Sequence, residues 1–308
     1  MGGLIKDPYG RPVDNLRLSV TQECDLRCFF CHREGESRHA YSEMSPDEME
    51  RVVSVAASLG VGRVKLTGGE PLLRGDIAEV VRRLSSIPRI REVAVTTNGI
   101  LLGGLAGPLR AAGLTRVNVS LPSLDVAVYR AVTGVDAVGM VRDGIVAAVE
   151  AGLSPVKVNM VMLRGLNDGE VEKMIDFTAD SGLILQLIEF EAPSPDFAYY
   201  RDYHMDLGGL EEILGKRAEQ VVVRRMHKRR KYFLKGGGEV EVVRPMHNAT
   251  FCGNCSRLRV TSDGRFKPCL FRDDNTVDFL TPIRSGATDE AIKSMFLEAV
   301  SRRKPYFE

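Results

Sequence analysis

Six cysteines stand in the 308 residues of the chain, and they fall into two triplets with none left over. Cys24, Cys28 and Cys31 are spaced C-x3-C-x2-C directly after the apolar run Leu16-Arg17-Leu18-Ser19-Val20, and Cys252, Cys255 and Cys269 are spaced C-x2-C-x13-C. Three thiolates at a strand tip hold three irons of a [4Fe–4S] cluster and leave the fourth open to a small molecule, whereas electron-transfer clusters take four cysteines. The first triplet therefore points to chemistry at an open iron. Zinc prefers tetrahedral closure. It stays the alternative metal for the second triplet, where His247 would complete a Cys3His site, but it leaves unexplained why both triplets stop at three. A disulfide framework suits short secreted chains. This chain is long, and its start, Met1-Gly-Gly-Leu-Ile-Lys-Asp-Pro, has no signal-peptide core. Reduced, ligating thiols and a cytoplasmic protein are expected.

Residues at the ends of apolar runs extend this reading. The run at 63–67 ends in Thr67-Gly68-Gly69-Glu70-Pro71, where two glycines let a ligand approach the backbone and Pro71 fixes the turn. The run at 92–97 ends in Thr96-Thr97-Asn98-Gly99, that at 116–121 carries Asn118 and Ser120, that at 156–161 carries Lys157 and Asn159, and that at 183–190 ends in Glu189-Phe190-Glu191. Lys65 and Lys157 sit between apolar neighbours, and a buried charge must find a partner.

These positions need elements to hold them. Six apolar runs, at 16–20, 63–67, 92–97, 116–121, 156–161 and 183–190, read as parallel strands apolar on both faces. Helical periods lie between them. One starts at Ser45-Pro46-Asp47-Glu48, a capping-box pattern, and others cover 76–84, 105–112, 138–151 and 168–181. Gly60, Gly113, Gly152 and Gly182 stand where helix C-caps belong. Six β-α units point to a parallel barrel or part of one, whose site lies at the C-terminal strand ends. A doubly wound open sheet is the alternative. After about Ala218 the pattern changes to short strands at 220–225, 232–234 and 239–243 and a helix at 289–302. We read 1–218 as the partial barrel and 219–308 as a small region that carries the second triplet and covers the open side.

With 44% hydrophobic residues the chain can bury a large core. No run approaches the roughly 18 apolar residues of a membrane span. A formal net charge of +1 gives no global bias toward nucleic acid or membrane. The run Arg224-Arg225-Met226-His227-Lys228-Arg229-Arg230-Lys231 is the local exception. It reads either as a polyphosphate- or RNA-attracting patch or as a solvated turn between strands, and it lacks the interleaved aromatics that stack bases.

Cys24/Cys28/Cys31 followed by Gly68-Gly69-Glu70-Pro71 resembles the radical S-adenosylmethionine superfamily. The stretch 14–21, Val158-Asn159-Met160-Val161, Gly165-Leu166-Asn167-Asp168, Ile188-Glu189-Phe190 and the run from Phe251 to Leu270 with Arg257-Leu258-Arg259 are similar to one branch, the GTP 3′,8-cyclases of molybdenum-cofactor biosynthesis. The resemblance covers almost the whole chain. It implies an α/β fold, an incomplete (β/α)6 TIM-type barrel with a small C-terminal α+β region carrying a second cluster. It also implies two [4Fe–4S] clusters. The first binds S-adenosylmethionine and yields a 5′-deoxyadenosyl radical; the second holds the guanine of GTP. The radical takes the ribose C3′ hydrogen, C3′ attacks guanine C8, and an electron and a proton complete 3′,8-cyclo-7,8-dihydroguanosine triphosphate. By position, Arg17, Lys65, Thr96, Lys157, Arg257, Leu258 and Arg259 match GTP contacts, and Phe30, Gly69, Glu70, Ser120 and Glu191 match S-adenosylmethionine contacts. The implied partners are GTP, an external electron donor, cyclic pyranopterin monophosphate synthase as the next enzyme, and a second copy in a homodimer. Two departures stand out: Glu191 replaces an apolar Met, and the chain ends Pro305-Tyr306-Phe307-Glu308 in place of a Gly-Gly pair. A radical enzyme that modifies peptides and a non-catalytic iron–sulfur electron carrier are the rival readings. The first usually spends more cysteines on its auxiliary clusters, and the second normally uses four per cluster.

Overall fold

A computed structural model describes residues 4–36, 43–192 and 199–308; positions 1–3 of the polar start lie outside it. The six expected strands form as β1 (Asn15–Ser19), β2 (Arg63–Thr67), β3 (Glu92–Thr97), β4 (Arg116–Ser120), β5 (Val156–Met162) and β6 (Ile184–Glu189), each parallel to the next. Between them lie α1 (Pro46–Ser58), α2 (Ile77–Ser85), α3 (Leu102–Ala111), α4 (Val126–Thr133), α5 (Val138–Glu150) and α6 (Val171–Asp180). The Ser45 hydroxyl accepts from the Glu48 amide at 3.2 Å while the Glu48 carboxylate accepts from the Ser45 amide at 2.8 Å, so the capping box at α1 is made. Gly60, Gly113, Gly152 and Gly182 all have φ between +64° and +105°, the left-handed stop conformation. The helix α4 has no counterpart in the expected pattern. Asp125 caps it, accepting from the Ala127 and Val128 amides, and Gly134 at φ +82° ends it. The expected helix at 168–181 begins only at Val171, because Asp168–Glu170 is a 3-10 turn.

The C-terminal strands do not form a detached cover. They are β7 (Ala218–Val223), β8 (Arg230–Leu234), β9 (Glu239–Val243), β10 (Arg257–Val260), β11 (Arg265–Lys267) and β12 (Val277–Asp278). All join one sheet of order β12-β11-β10-β1-β2-β3-β4-β5-β6-β9-β8-β7. Strand β9 continues the parallel set beyond β6, and β10 does so beyond β1. The two edges of the six-strand partial barrel, which would otherwise leave backbone donors and acceptors unpaired, are thus each extended by the C-terminal segment.

The strands also alternate more strictly than expected. Leu16 and Leu18, Val64 and Leu66, Val117 and Val119, Val158 and Met160, and Leu185 and Leu187 are all fully buried in the main core against the helices. Most of their neighbours in sequence, among them Arg17, Lys65, Asn118, Lys157, Asn159 and Gln186, point the other way and are polar, while Val161, Ile184 and Ile188 add apolar patches to that face. In register across the sheet stand Arg259 beside Arg17, Arg17 beside Lys65, Asn118 beside Lys157, Asn159 beside Gln186, and Gln186 beside Glu241. The inner face of the partial barrel is therefore a polar, mainly cationic surface, and the expectation of strands apolar on both faces is corrected.

Candidate active site

That inner face lines a cavity of about 770 Å³. Among the described residues eleven lysine and arginine side chains border it against six carboxylates, so this lining is strongly basic although the whole chain is nearly neutral. Two carboxylates organise much of this charge. Glu34 pairs with Arg17 at 2.6 Å and with Arg259, and accepts from the Thr67 hydroxyl at 2.9 Å. Burial alone would raise its pKa, but the two guanidiniums hold it well below the usual carboxylate range. Glu241 is fully buried, pairs with Lys157 at 2.6 Å, with Arg224 at 2.5 Å and with Arg229 at 4.0 Å, and accepts from the Gln186 amide at 2.7 Å. Burial brings the Lys157 ammonium down to about 7 against the pull of Glu241.

Two recessed cations, Lys65 and Arg257, have no such counter-ion among the described residues. Lys65 donates to the Asn118 side-chain oxygen at 3.1 Å, and no carboxylate pairs with it or with Arg257 among the described residues. Burial, then Arg116, Arg17 and Arg257, push the Lys65 ammonium well below its ordinary value. Burial, then Arg17 and Arg259, pull Arg257 down too, and its Nε has no hydrogen-bond partner. Mutually repelling, recessed cations of this kind call for a polyanion.

The first triplet borders the same cavity, and its loop is held by backbone contacts to the Gly68-Gly69-Glu70 turn. The Gly69 amide donates to the Thr21 carbonyl at 2.8 Å and the Glu70 amide to the Glu23 carbonyl at 2.7 Å. A Cβ at Gly68 would overlap the Thr21 carbonyl oxygen and one at Gly69 that of Glu23, so only glycine permits this approach. Glu70 is buried and accepts from the Thr97 hydroxyl at 2.7 Å and the Asn98 and Leu72 amides at 2.6 and 3.0 Å, which locks the end of β3 to the turn. Burial still raises it to about 7. Burial lifts Cys24 to about 11 and Cys28 higher, each with the charge of its neighbouring cysteines adding to the effect.

The second triplet is set behind the cavity wall. Its flanking residues Phe251, Arg257 and Arg259 border the cavity, but its three cysteines do not. The His227 ring stacks on Phe251 at 3.8 Å and 20°. A buried clamp grips the loop from behind. Asp7 pairs with Arg11 at 2.7 Å and Arg303 at 3.1 Å, while Arg11 donates to the Cys252 carbonyl at 3.0 Å and Arg303 to the Cys255 carbonyl at 2.6 Å. His247, the ligand a Cys3His zinc site would need, packs its ring on Phe307 at 4.8 Å. Among the described residues no three His, Cys, Asp or Glu side chains converge on one ion. Cys24 and Cys31 act electrostatically on Cys28, and Cys252 and Cys255 on Cys269, so each triplet lies together. Three thiols are the donor type of a cluster bound through three irons, and the first triplet, at the cavity, suits that group.

Of the other expected positions, Arg17, Phe30, Lys65, Gly69, Glu70, Thr96, Ser120, Lys157, Glu191, Arg257 and Arg259 all border the cavity. Leu258 does not. It lies in the core with no exposure, because it points to the opposite face of β10 from Arg257 and Arg259. The basic run divides: Lys228 and Arg230 are exposed, while others of the run face inward. Arg224, His227, Arg229 and Lys231 turn into the cavity. Sequence reasoning missed Glu34, Glu241, Arg116 and Arg229 as site residues. The signal for Glu241 was available: it stands between Val240 and Val242 as Lys157 stands between Val156 and Val158.

Comparison with known proteins fits this geometry. Residues 18–178 match the radical SAM superfamily, and residues 183–308 match the family described as Molybdenum Cofactor Synthesis C. A protein of Thermococcus kodakarensis named "Probable GTP 3′,8-cyclase" is 53% identical over 310 residues, covering 99% of this chain and 100% of that protein. One of the same name from Methanothermobacter marburgensis is 47% identical, with 99% of both chains covered. Among solved structures, anSMEcpe with bound AdoMet superimposes with a TM-score of 0.63 at 18% identity, over 93% of this chain and 79% of that one. SuiB of Streptococcus suis bound to S-adenosylmethionine gives 0.64 at 16% identity over 83% of this chain, which spans 60% of the length of SuiB. At these identities the two structures speak for the fold. The chain belongs to the radical SAM superfamily and, through relatives matched end to end, to the GTP 3′,8-cyclase family within it.

Proposed function

We propose that this chain converts GTP into (8S)-3′,8-cyclo-7,8-dihydroguanosine 5′-triphosphate, the first step of molybdenum-cofactor biosynthesis. The observation that carries the substrate is the pair Lys65 and Arg257, recessed cations without a carboxylate in a cavity that reaches the first cysteine triplet. In this reading Cys24, Cys28 and Cys31 hold one [4Fe–4S] cluster and Cys252, Cys255 and Cys269 hold a second. The first cluster with S-adenosylmethionine supplies a carbon radical able to remove a ribose hydrogen, chemistry that belongs to the cofactor. The protein supplies placement. Arg17, Lys65, Lys157, Arg257 and Arg259 take the triphosphate oxygens; guanidinium forks suit phosphate and the ammonium groups act as point charges. Thr96, with Asn118 and Asn159 near it on the inner face, orients the ribose. Glu34 and Glu241 act as resident counter-ions, keeping the cations folded inward until the triphosphate replaces part of their charge. The Gly69 backbone, Phe30, Ser120, Glu70 and Glu191 form the S-adenosylmethionine side. His227, stacked on Phe251, closes the guanine side against water. An external electron donor, cyclic pyranopterin monophosphate synthase as consumer of the product, and a homodimer belong to the same proposal. No described helix is long and apolar enough to cross a membrane.

The test is anaerobic. Protein reconstituted with iron and sulfide receives dithionite, S-adenosylmethionine and GTP, and the cyclised nucleotide is sought by mass spectrometry. Its formation with stoichiometric 5′-deoxyadenosine is expected. Cleavage of S-adenosylmethionine with GTP recovered unchanged refutes the substrate.

A further inference from the structure

Glu34, Gly35 and Glu36 follow closely on Cys31, and each touches the C-terminal region. Glu34 pairs with Arg259. A Cβ on Gly35 would overlap the carbonyl oxygen of Leu270, the residue after Cys269, and would lie 2.9 Å from the Lys267 side chain. One Glu36 carboxylate oxygen accepts from the Ser262 amide at 3.0 Å, the Ser262 hydroxyl at 2.7 Å and the Gln22 side-chain amide at 2.7 Å. So three successive residues that follow the first triplet meet three points of the segment from Cys255 to Leu270, two through bonds and one through close packing. Both Glu34 (φ +56°) and Gly35 (φ +72°) are left-handed, a backbone course that a non-glycine residue adopts only when its surroundings hold it there. The cation pairs explain Glu34. They do not explain why Gly35 and Glu36 should reach across to the other region.

We propose that residues 34–36 are a strap that sets the separation and register of the two thiol triplets, and that this setting couples radical formation to ring closure. The inference rests on the proposed function, since it assigns the strap the task of bringing two separately held guests within reach. These are positioning residues. A misplacement of about 1 Å at a reacting centre costs about 100-fold in rate. A poorly strapped enzyme would still cleave S-adenosylmethionine but would waste the cleavage.

Two variants of the full chain perturb the strap in different ways while leaving the cavity-lining cations in place. In Gly35→Ala a methyl group wedges the Leu270 carbonyl away. In Glu36→Ala the three hydrogen bonds vanish with no wedge, and Glu36→Gln, which keeps an acceptor oxygen for Ser262, is the milder form should Glu36→Ala fold poorly. The expected result is a rise of about tenfold or more in 5′-deoxyadenosine formed per cyclised nucleotide for Gly35→Ala, with a smaller rise for Glu36→Ala. Iron content and the electron paramagnetic resonance signal of each cluster stay as in the parent. In the metal-free protein, hydrogen exchange of 33–36 and of 262–270 rises together. Exchange rising only at 33–36, or a ratio within about twofold of the parent while both segments exchange faster, overturns the strap. Parent protein that makes no cyclised nucleotide overturns the proposed function and the strap with it. A parent that cyclises GTP beside variants that couple equally well overturns the strap alone.

Discussion

Glu241→Gln is the sharpest perturbation the site offers. The carboxylate has no exposure, and the Lys157 side chain 2.6 Å away is 5% exposed, so solvent screens this pair very little. Removing one partner of a buried ion pair costs about 3–5 kcal/mol, because the other charge is left in a poor solvent. The Arg224 pair adds little to this, since that side chain is 40% exposed. In domains of 150–250 residues each kcal/mol moves the melting point by about 2–4 °C; at the lower end of that range the expected drop is about 6–10 °C. The assay is thermal melting of the metal-free protein, with and without tripolyphosphate. A polyanion at 100 times its Kd stabilises by about 2.7 kcal/mol. In Glu241→Gln it also supplies the counter-ion that Lys157 and Arg229 have lost, so the variant is expected to gain more from tripolyphosphate than the parent. Adding Lys157→Met should restore much of the loss, as an apolar replacement of a buried pair is often neutral. Melting within 2 °C of the parent, or equal gains from tripolyphosphate in both proteins, would refute the reasoning that Glu241 is a resident counter-ion for a phosphate site.

Four further outcomes follow from the same geometry. Lys157 titrates near 7, so its charge is present below that pH and lost above it; GTP affinity measured by calorimetry should weaken from pH 6 to pH 8.5, and Lys157→Arg should flatten the profile. Arg257→Ala with Arg259→Ala removes two charge-assisted phosphate contacts of about 1.5–3 kcal/mol each, so product formation should fall at least about 100-fold while iron content is unchanged; normal turnover would count against the phosphate role. Cys24→Ser should stop S-adenosylmethionine cleavage, whereas Cys252→Ser should stop cyclisation and leave some uncoupled cleavage, both read from 5′-deoxyadenosine by chromatography. Asp7→Asn leaves Arg11 and Arg303 buried without their counter-ion, and should lower the melting point and drop iron per chain toward half by loosening the Cys252 and Cys255 carbonyls.

Local signals made the six-strand frame legible. Each strand was an apolar run, and each stop glycine adopts the conformation its position required. Of the C-terminal strands β7, β8 and β9 were legible as strands and β10, β11 and β12 were not, and the joining of β9 and β10 to β6 and β1 was not legible because it is a long-range choice of register. The helix α4 went unread because its eight residues are fewer than the roughly 11–18 over which a helical period is read, although Asp125 and Gly134 bracket it as a cap and a stop.

At the site the cysteines and most of the cations were legible because each is a rare type in a fixed context: a thiol in a close triplet, or a lysine among valines. The carboxylates were not. Glu34 looks like an ordinary polar residue after the first triplet, and it becomes a hub only because Arg17 and Arg259, far apart in sequence, stand side by side in register across β1 and β10. The same holds for Glu241, which meets Lys157 because Gln186 and Glu241 are neighbours across β6 and β9. A face built from cations alone would repel itself in the absence of substrate, so a phosphate site inside a barrel must carry internal anions as well. The pairing also explains why Lys65 and Arg257 differ from the rest. Neither Glu34 nor Glu241 reaches them, and no other carboxylate pairs with them among the described residues, which leaves them as recessed charges in need of a phosphate.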